Sequence, residues 1–393
     1  MTIGPETGIK PLLLPPKLRT LESADGRRAS YLELFFDLVF VVAIAQLAHE
    51  LVVDHALLGF AVFGALYLPV FLAWQGFSFY ADRFDTDDVV FRVVMFTAML
   101  AIAALAIQIP DAAQGDSTGF VLAYIVLRSL MVGLYLRSYR HVLEARALSG
   151  RYAWEYSLAI AIWAASLAFE SPTRYVLWAV AIAWELSIPT LARRLFTAVP
   201  VHASHVPERF ALFTIIVLGE TIVVVALGTA GSEWELAAAV VAVLGFVAAA
   251  AIWWVYFGGG GEVTMSRSPT AIIVFTHAHI PLLAALTSVS AGIALAIEQA
   301  SAAHLDAGTR WALAGGAALY LACVTAAQRA TVQGLLEWVL PSRTVAVLLL
   351  VAFALVGGVL DPVVFMAVFA TILVLLVAFK LWTAQRLLRA DTL

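Results

Sequence analysis

Glu208-Arg209-Phe210-Ala211-Leu212-Phe213-Thr214-Ile215-Ile216-Val217-Leu218-Gly219-Glu220 opens a run that stays apolar to residue 228, with Glu220 its one charge after Arg209. A helix rises about 1.5 Å per residue, so about twenty such residues cross a hydrocarbon core about 30 Å thick. A barrel strand would instead alternate polar and apolar residues over about ten positions, which this run does not do. Eleven further stretches of the same kind lie near residues 31–53, 56–80, 89–108, 117–140, 152–170, 174–191, 234–257, 269–297, 308–327, 342–360 and 361–382. The last two are separated only by Gly358-Val359-Leu360-Asp361-Pro362, where Gly and Pro favour a hairpin over one long helix.

Composition agrees with this reading. Of 393 residues, 63% are hydrophobic and 13% charged, against roughly 25% charged in a soluble domain, and the mean hydropathy is +0.94. The expected fold is an all-α integral membrane bundle of about twelve transmembrane helices, with the lipid bilayer as its first partner. A net charge of -4, with no soluble domain left over, excludes a nucleic-acid-binding surface. The single Cys323 allows no intramolecular disulfide. Residues 1–30 are polar and Pro-containing, too long before the first apolar run for a cleavable signal, and are expected to form a cytoplasmic tail.

Short cytoplasmic loops are enriched in Lys and Arg. Placing the N-terminus inside puts 20 of the 23 basic residues in cytoplasmic segments, leaving Arg174 and Arg310 outside and Arg128 within a span. Twelve spans with both termini cytoplasmic follow, in a cell (plasma or inner) membrane. The two halves, residues 31–200 and 201–393, enter alike: Glu33-Leu34-Phe35-Phe36-Asp37 opens one and Glu208-Arg209-Phe210-Ala211-Leu212 the other. Each then closes its second helix in an aromatic cluster, Trp74 to Tyr80 or Trp253 to Phe257. A parallel 6+6 pseudo-repeat is the expectation, with chance similarity among apolar helices as its rival.

Several of these stretches also carry a family resemblance. Glu33 to Phe40 with Gln46, the Phe84-Asp85-Thr86-Asp87-Asp88 loop, Glu208 to Glu220, and Thr276-His277-Ala278-His279-Ile280-Pro281-Leu282 together resemble the bacterial low-temperature-requirement A family. That family usually shows Trp-Trp before the acidic loop, where this chain has Trp74-Gln75. The resemblance implies a multi-pass bacterial membrane protein named for a cold-growth phenotype, and it brings no biochemical activity with it.

Chemistry must therefore be read from ionisable residues inside the spans, each of which needs a partner or a wet cavity. Counting from the cytoplasmic ends, Asp37 and Glu185 lie roughly 9 Å deep, His277 and His279 roughly 12 to 15 Å, and Glu220 roughly 18 Å, while Arg128 lies about 16 Å from the outer end of its helix. These six are expected in one layer. Arg128 stays charged at any relevant pH, and its candidate partners are Asp37, Glu185 and Glu220. Tyr124, Arg128, Met131 and Tyr135 recur at spacings that place them on one helical stripe toward the interior. A buried ion pair that merely fixes helix register is the competing reading.

Pro281 frees the carbonyl of His277 and Pro189 that of Glu185, placing an acceptor beside each protonatable group, although prolines are common in membrane helices without any function. His277-x-His279 points its rings about 200° apart and so does not suit one metal ion; a proton relay is the other role open to these histidines. His202-x-x-His205 has chelating spacing but no carboxylate pair beside it in sequence. The acidic run 82–88 reads as a solvated connection, with Asp87 or Asp88 as a helix cap. Gly258 to Gly261 lacks the Lys-Ser/Thr of a phosphate loop and reads as a helix exit. No metal and no cofactor is expected.

The leading expectation is a proton-coupled secondary transporter or permease for a small solute or amphipathic, lipid-like compound. Asp37, Glu220, Glu185, His277 and His279 would serve proton or ion coupling. Arg128 would supply the counter-charge, and Tyr124, Tyr135, Trp74 and Gln46 are ligand candidates. The rivals are a membrane-embedded enzyme acting on a lipid or isoprenoid, with the aromatic clusters lining its groove, and a non-catalytic sensor or scaffold.

Overall fold

A computed structural model of the chain describes residues 14–18, 29–85, 88–195, 199, 201–231, 235–258, 263–266, 268–332 and 339–390. In chain order its elements are β1 (Lys17–Leu18), α1 (Tyr31–Val53), α2 (Leu57–Arg83), β2 (Phe84–Asp85), α3 (Val89–Ile107), α4 (Ile109–Ala113), α5 (Thr118–His141), α6 (Arg146–Ser166), α7 (Thr173–Leu191), α8 (His205–Gly231), α9 (Leu236–Phe257), α10 (Pro269–Glu298), α11 (Ala307–Arg310), α12 (Gly316–Arg329), α13 (Val339–Val356) and α14 (Pro362–Ala390). A π-helical turn, Trp311–Gly315, joins α11 to α12 into one continuous segment.

Every apolar stretch expected from sequence is a helix, and eleven helices among the described residues are long and apolar enough to cross a membrane. The chain is an all-helical, multi-pass membrane protein. The long helix outside that set is α6, which begins six residues before its expected start and carries Arg146, Arg151 and Glu155 in its first half. Large apolar side chains such as Leu348, Leu355 and Leu375 stay exposed, as a lipid-facing surface requires. At the expected hairpin, a 3₁₀ turn over Gly357–Val359 leads to Asp361, whose carboxylate accepts from the Val364 N–H, and Pro362 starts α14.

The chain forms two compact units, residues 1–43 with 69–206 and residues 44–68 with 207–393. In the first, α5 packs on α3 and α6, and α6 on α7, around an aromatic core that includes Trp74, Tyr80, Tyr124, Tyr135 and Trp163. In the second, α10 is the most enclosed helix, with 83% of its most apolar window buried against α9 and the α11–α12 segment. Its core uses small residues. A Cβ on Gly292 would come within 2.9 Å of the Leu313 backbone nitrogen, and one on Gly316 within 3.2 Å of the Ala285 carbonyl, so glycine at both positions lets the backbones approach.

Candidate functional site

Three buried polar centres lie in the first unit. The stripe Tyr124, Arg128, Met131, Tyr135 of α5 is buried as expected. The partner of Arg128 is Glu185 of α7, not Asp37 or Glu220. Arg128 Nε donates to the Tyr124 hydroxyl (2.9 Å) and Nη1 to the Leu72 carbonyl (3.3 Å), and the guanidinium lies over the Tyr124 and Tyr156 rings at 4.9 and 5.0 Å. Glu185 Oε2 also accepts from Tyr124 (2.8 Å), and Oε1 accepts from Trp163 Nε1 of α6 (3.1 Å). Gly76 makes room for the cation, since a Cβ there would sit 3.1 Å from Arg128 Nη1. The pair is enclosed by donors, acceptors and ring faces, the arrangement a charge needs where water is absent.

Asp37 of α1 forms the second centre: fully buried, it accepts from Trp74 Nε1 at 2.7 Å. Trp74 is therefore the acid's donor, and Tyr135 packs among Tyr80, Tyr152 and Tyr156 with its hydroxyl buried.

The third centre corrects two expectations. Asp82 is not part of a solvated connection; it is fully buried at the end of α2. His202 and His205 have the carboxylates their sequence neighbourhood lacks. His205 Nδ1 lies 3.0 Å from Asp82 Oδ1, the His202 N–H donates to Asp82 Oδ2 (3.1 Å), and His205 Nε2 lies 3.9 Å from Glu33 Oε2. Glu33 also closes a capping box with Ser30 at the start of α1. Sequence reasoning missed this group because about 120 residues separate Asp82 from the two histidines. Among the described residues no set of three or more His, Cys, Asp or Glu is arranged to hold a metal ion. Asp88 is the cap of α3 expected from sequence, accepting from the Phe91 N–H, while Asp87 and Gly259 to Gly261 lie outside the described residues.

In the second unit, Glu220 sits half-buried in the middle of α8. His279 is buried, with Nδ1 2.7 Å from the Phe275 carbonyl and Nε2 2.8 Å from the Tyr256 hydroxyl, so Nδ1 carries the hydrogen and Nε2 accepts. His277 contacts the Ile273 carbonyl through Nδ1 (2.9 Å) and is half-buried, facing away from His279 as their spacing requires. Gln46 is half-buried in the part of α1 that belongs to this unit. Of the six ionisable groups expected in one layer, Asp37, Arg128 and Glu185 belong to the first unit and Glu220, His277 and His279 to the second. Three arginines assigned to cytoplasmic loops by the charge tally, Arg83, Arg209 and Arg343, are buried side chains within helices.

Residues 28–378 match the family model of the bacterial low temperature requirement A protein (LtrA). The chain is also 31% identical over 322 residues to the "uncharacterized protein RA0937" of Rhizobium meliloti (strain 1021), a match covering 77% of each chain.

Proposed function

For this chain, which belongs to the bacterial low temperature requirement A family, we propose proton-coupled secondary transport of a small solute or amphipathic compound across the cell membrane. Glu220 carries the reading. It lies in a helix that is otherwise uncharged from Phe210 to Gly228, and it makes no hydrogen bond or ion pair with any described residue. A carboxylate in hydrocarbon is tolerated as the neutral acid or beside a cation, so this one exchanges a proton or a cationic partner as access to water changes. Asp37 differs in having a fixed donor in Trp74, and Glu185 in having a fixed cation in Arg128. Those two hold their surroundings in place while Glu220 does the coupling. His277, half-buried, is the relay candidate, while His279 has both ring nitrogens engaged.

The test uses proteoliposomes that trap a pH-sensitive dye and are challenged with a panel of small solutes and amphipathic compounds. Wild type is expected to move protons in response to at least one compound, and Glu220→Gln to insert normally and retain exchange of that compound without proton movement. Undiminished proton flux in Glu220→Gln removes Glu220 from the mechanism. No flux with any compound moves the reading to an enzyme acting on a membrane lipid or isoprenoid.

A further inference from the structure

Arg343 poses a problem that Arg128 does not. It lies near the start of α13, only 4% exposed, and its Nη1 donates to Thr325 Oγ1 (3.2 Å) and Gln328 Oε1 (2.8 Å) of α12. Both acceptors are neutral. Its Nε and Nη2 make no hydrogen bond, and no carboxylate pairs with it, among the described residues. The hydroxyl of Tyr320, also within electrostatic reach, is committed to the Ile252 carbonyl at 2.8 Å. Lys380, a half-buried cation, lies on α14, the helix that the 357–361 turn folds back against α13. Two cations thus stand on adjacent helices, and among the described residues no acid pairs with either. A guanidinium does not shed its proton, so this charge has to be met by an anion.

We propose that Arg343 and Lys380, with Thr325 and Gln328 orienting the guanidinium, form a binding site for a phosphate group. The two neutral acceptors hold Nη1 and leave Nε–H and Nη2–H, the parallel pair of the guanidinium fork, for two oxygens of one phosphate. Position favours the same ligand. The tight turn at residues 357–361 pairs the first turns of α13 with the last turns of α14, so the site lies at one end of the hairpin. Farther along that end of α14, the Arg386 guanidinium lies 3.8 Å from the centre of the half-exposed Trp382 ring, an aromatic and basic pairing suited to the headgroup level of a bilayer. Phospholipid headgroups and free phosphate both supply the ligand chemistry.

The test measures the thermal unfolding midpoint of the purified full chain in phosphate-free detergent. It is titrated separately with inorganic phosphate, phosphatidylglycerol in mixed micelles, and phosphatidylcholine as a control for added lipid. Wild type is expected to be stabilised saturably by phosphatidylglycerol or by inorganic phosphate. Arg343→Gln and Lys380→Gln should weaken the apparent affinity by about tenfold or more, the loss of one charge-assisted bond. Arg146→Gln, an exposed change elsewhere, should leave it unaltered. A response to inorganic phosphate as strong as to the lipid assigns the site to a free anion; a response to the lipid alone assigns it to a headgroup. If Arg343→Gln does not fold, the half-buried Lys380→Gln decides. The proposal is overturned if neither anion stabilises wild type, or if Lys380→Gln responds as wild type does.

Discussion

Arg128 and Glu185 show how a charge is carried in a membrane interior, and they set a prediction for single residues. Arg128→Ala leaves Glu185 with two neutral donors, Tyr124 and Trp163, and no cation. Breaking a buried pair from one side typically costs about 3 to 5 kcal/mol, whereas replacing both partners costs much less. Arg128→Ala should therefore lower the unfolding midpoint strongly, and Arg128→Ala with Glu185→Ala should recover part of the loss. Equal midpoints for Arg128→Ala and wild type would mean that the pair contributes nothing. At this scale the sequence was informative where spacing was local: Tyr124, Arg128 and Tyr135 share a stripe because a helix repeats every 3.6 residues. The choice of Glu185 over Asp37 was not legible. It depends on Trp74 occupying Asp37 and Gly76 opening space for the guanidinium, facts of packing between distant segments.

Between single residues and the molecule stand the helices and their ends, and one of these ends responds to acid. Asp88 caps α3 through the Phe91 N–H and receives Arg137 of α5 on both oxygens, at 3.1 and 2.5 Å. Arg137 also donates to the Leu14 carbonyl, just before β1, and β1 pairs antiparallel with β2 immediately upstream of the cap. Burial of the carboxyl works against its charge, but Arg137 and the Phe91 amide outweigh it and hold Asp88 below the usual carboxylate range. A depressed folded-state value means stabilisation that is present above the ordinary pKa of 3.8 and is lost as pH falls through the folded value. Asp88→Asn should thus lower the unfolding midpoint at pH 7, and the gap from wild type should close as pH falls below about 4. A gap that stays constant with pH would show that the cap works by shape alone. Apolar run length made these helices legible. The short α4 and the π turn carry no run of their own, and the β1–β2 pairing joins a polar tail to a loop, so none of them had a signal to find.

For the whole molecule, the open quantity is how many times the chain crosses the bilayer, and it turns on α6. Eleven helices meet the length and hydropathy of a span, and α6 does not, yet its buried face supplies Tyr152, Tyr156 and Trp163 to the Arg128 centre and its core. Its first half divides into a buried face, with Tyr152, Glu155 and Tyr156, and an exposed face that includes Arg151 and Trp154. Removing the buried Arg83, Arg209 and Arg343 from the charge tally leaves seventeen basic residues on the proposed inner side against Arg174 and Arg310 on the outer. Those two are engaged locally, Arg174 with the Phe169 carbonyl and Arg310 with those of Leu305 and Ala354. The asymmetry therefore survives the correction and supports twelve crossings with both termini cytoplasmic. Single cysteines, introduced after Cys323 is replaced, test this in intact cells with an impermeant thiol reagent. Ser149 is buried and Asp306 is bonded to Gln299 and Thr309, so the exposed Glu144, Ser204, Asp116, Glu170 and His304 are the informative positions. Labelling is expected at positions 116, 170 and 304 and not at 144 or 204. Glu144 and Glu170 flank α6, so equal labelling at the two would show that α6 does not cross. An odd number of crossings would then place the two termini on opposite sides and end the parallel repeat, because the second six-helix half would start from the outer face.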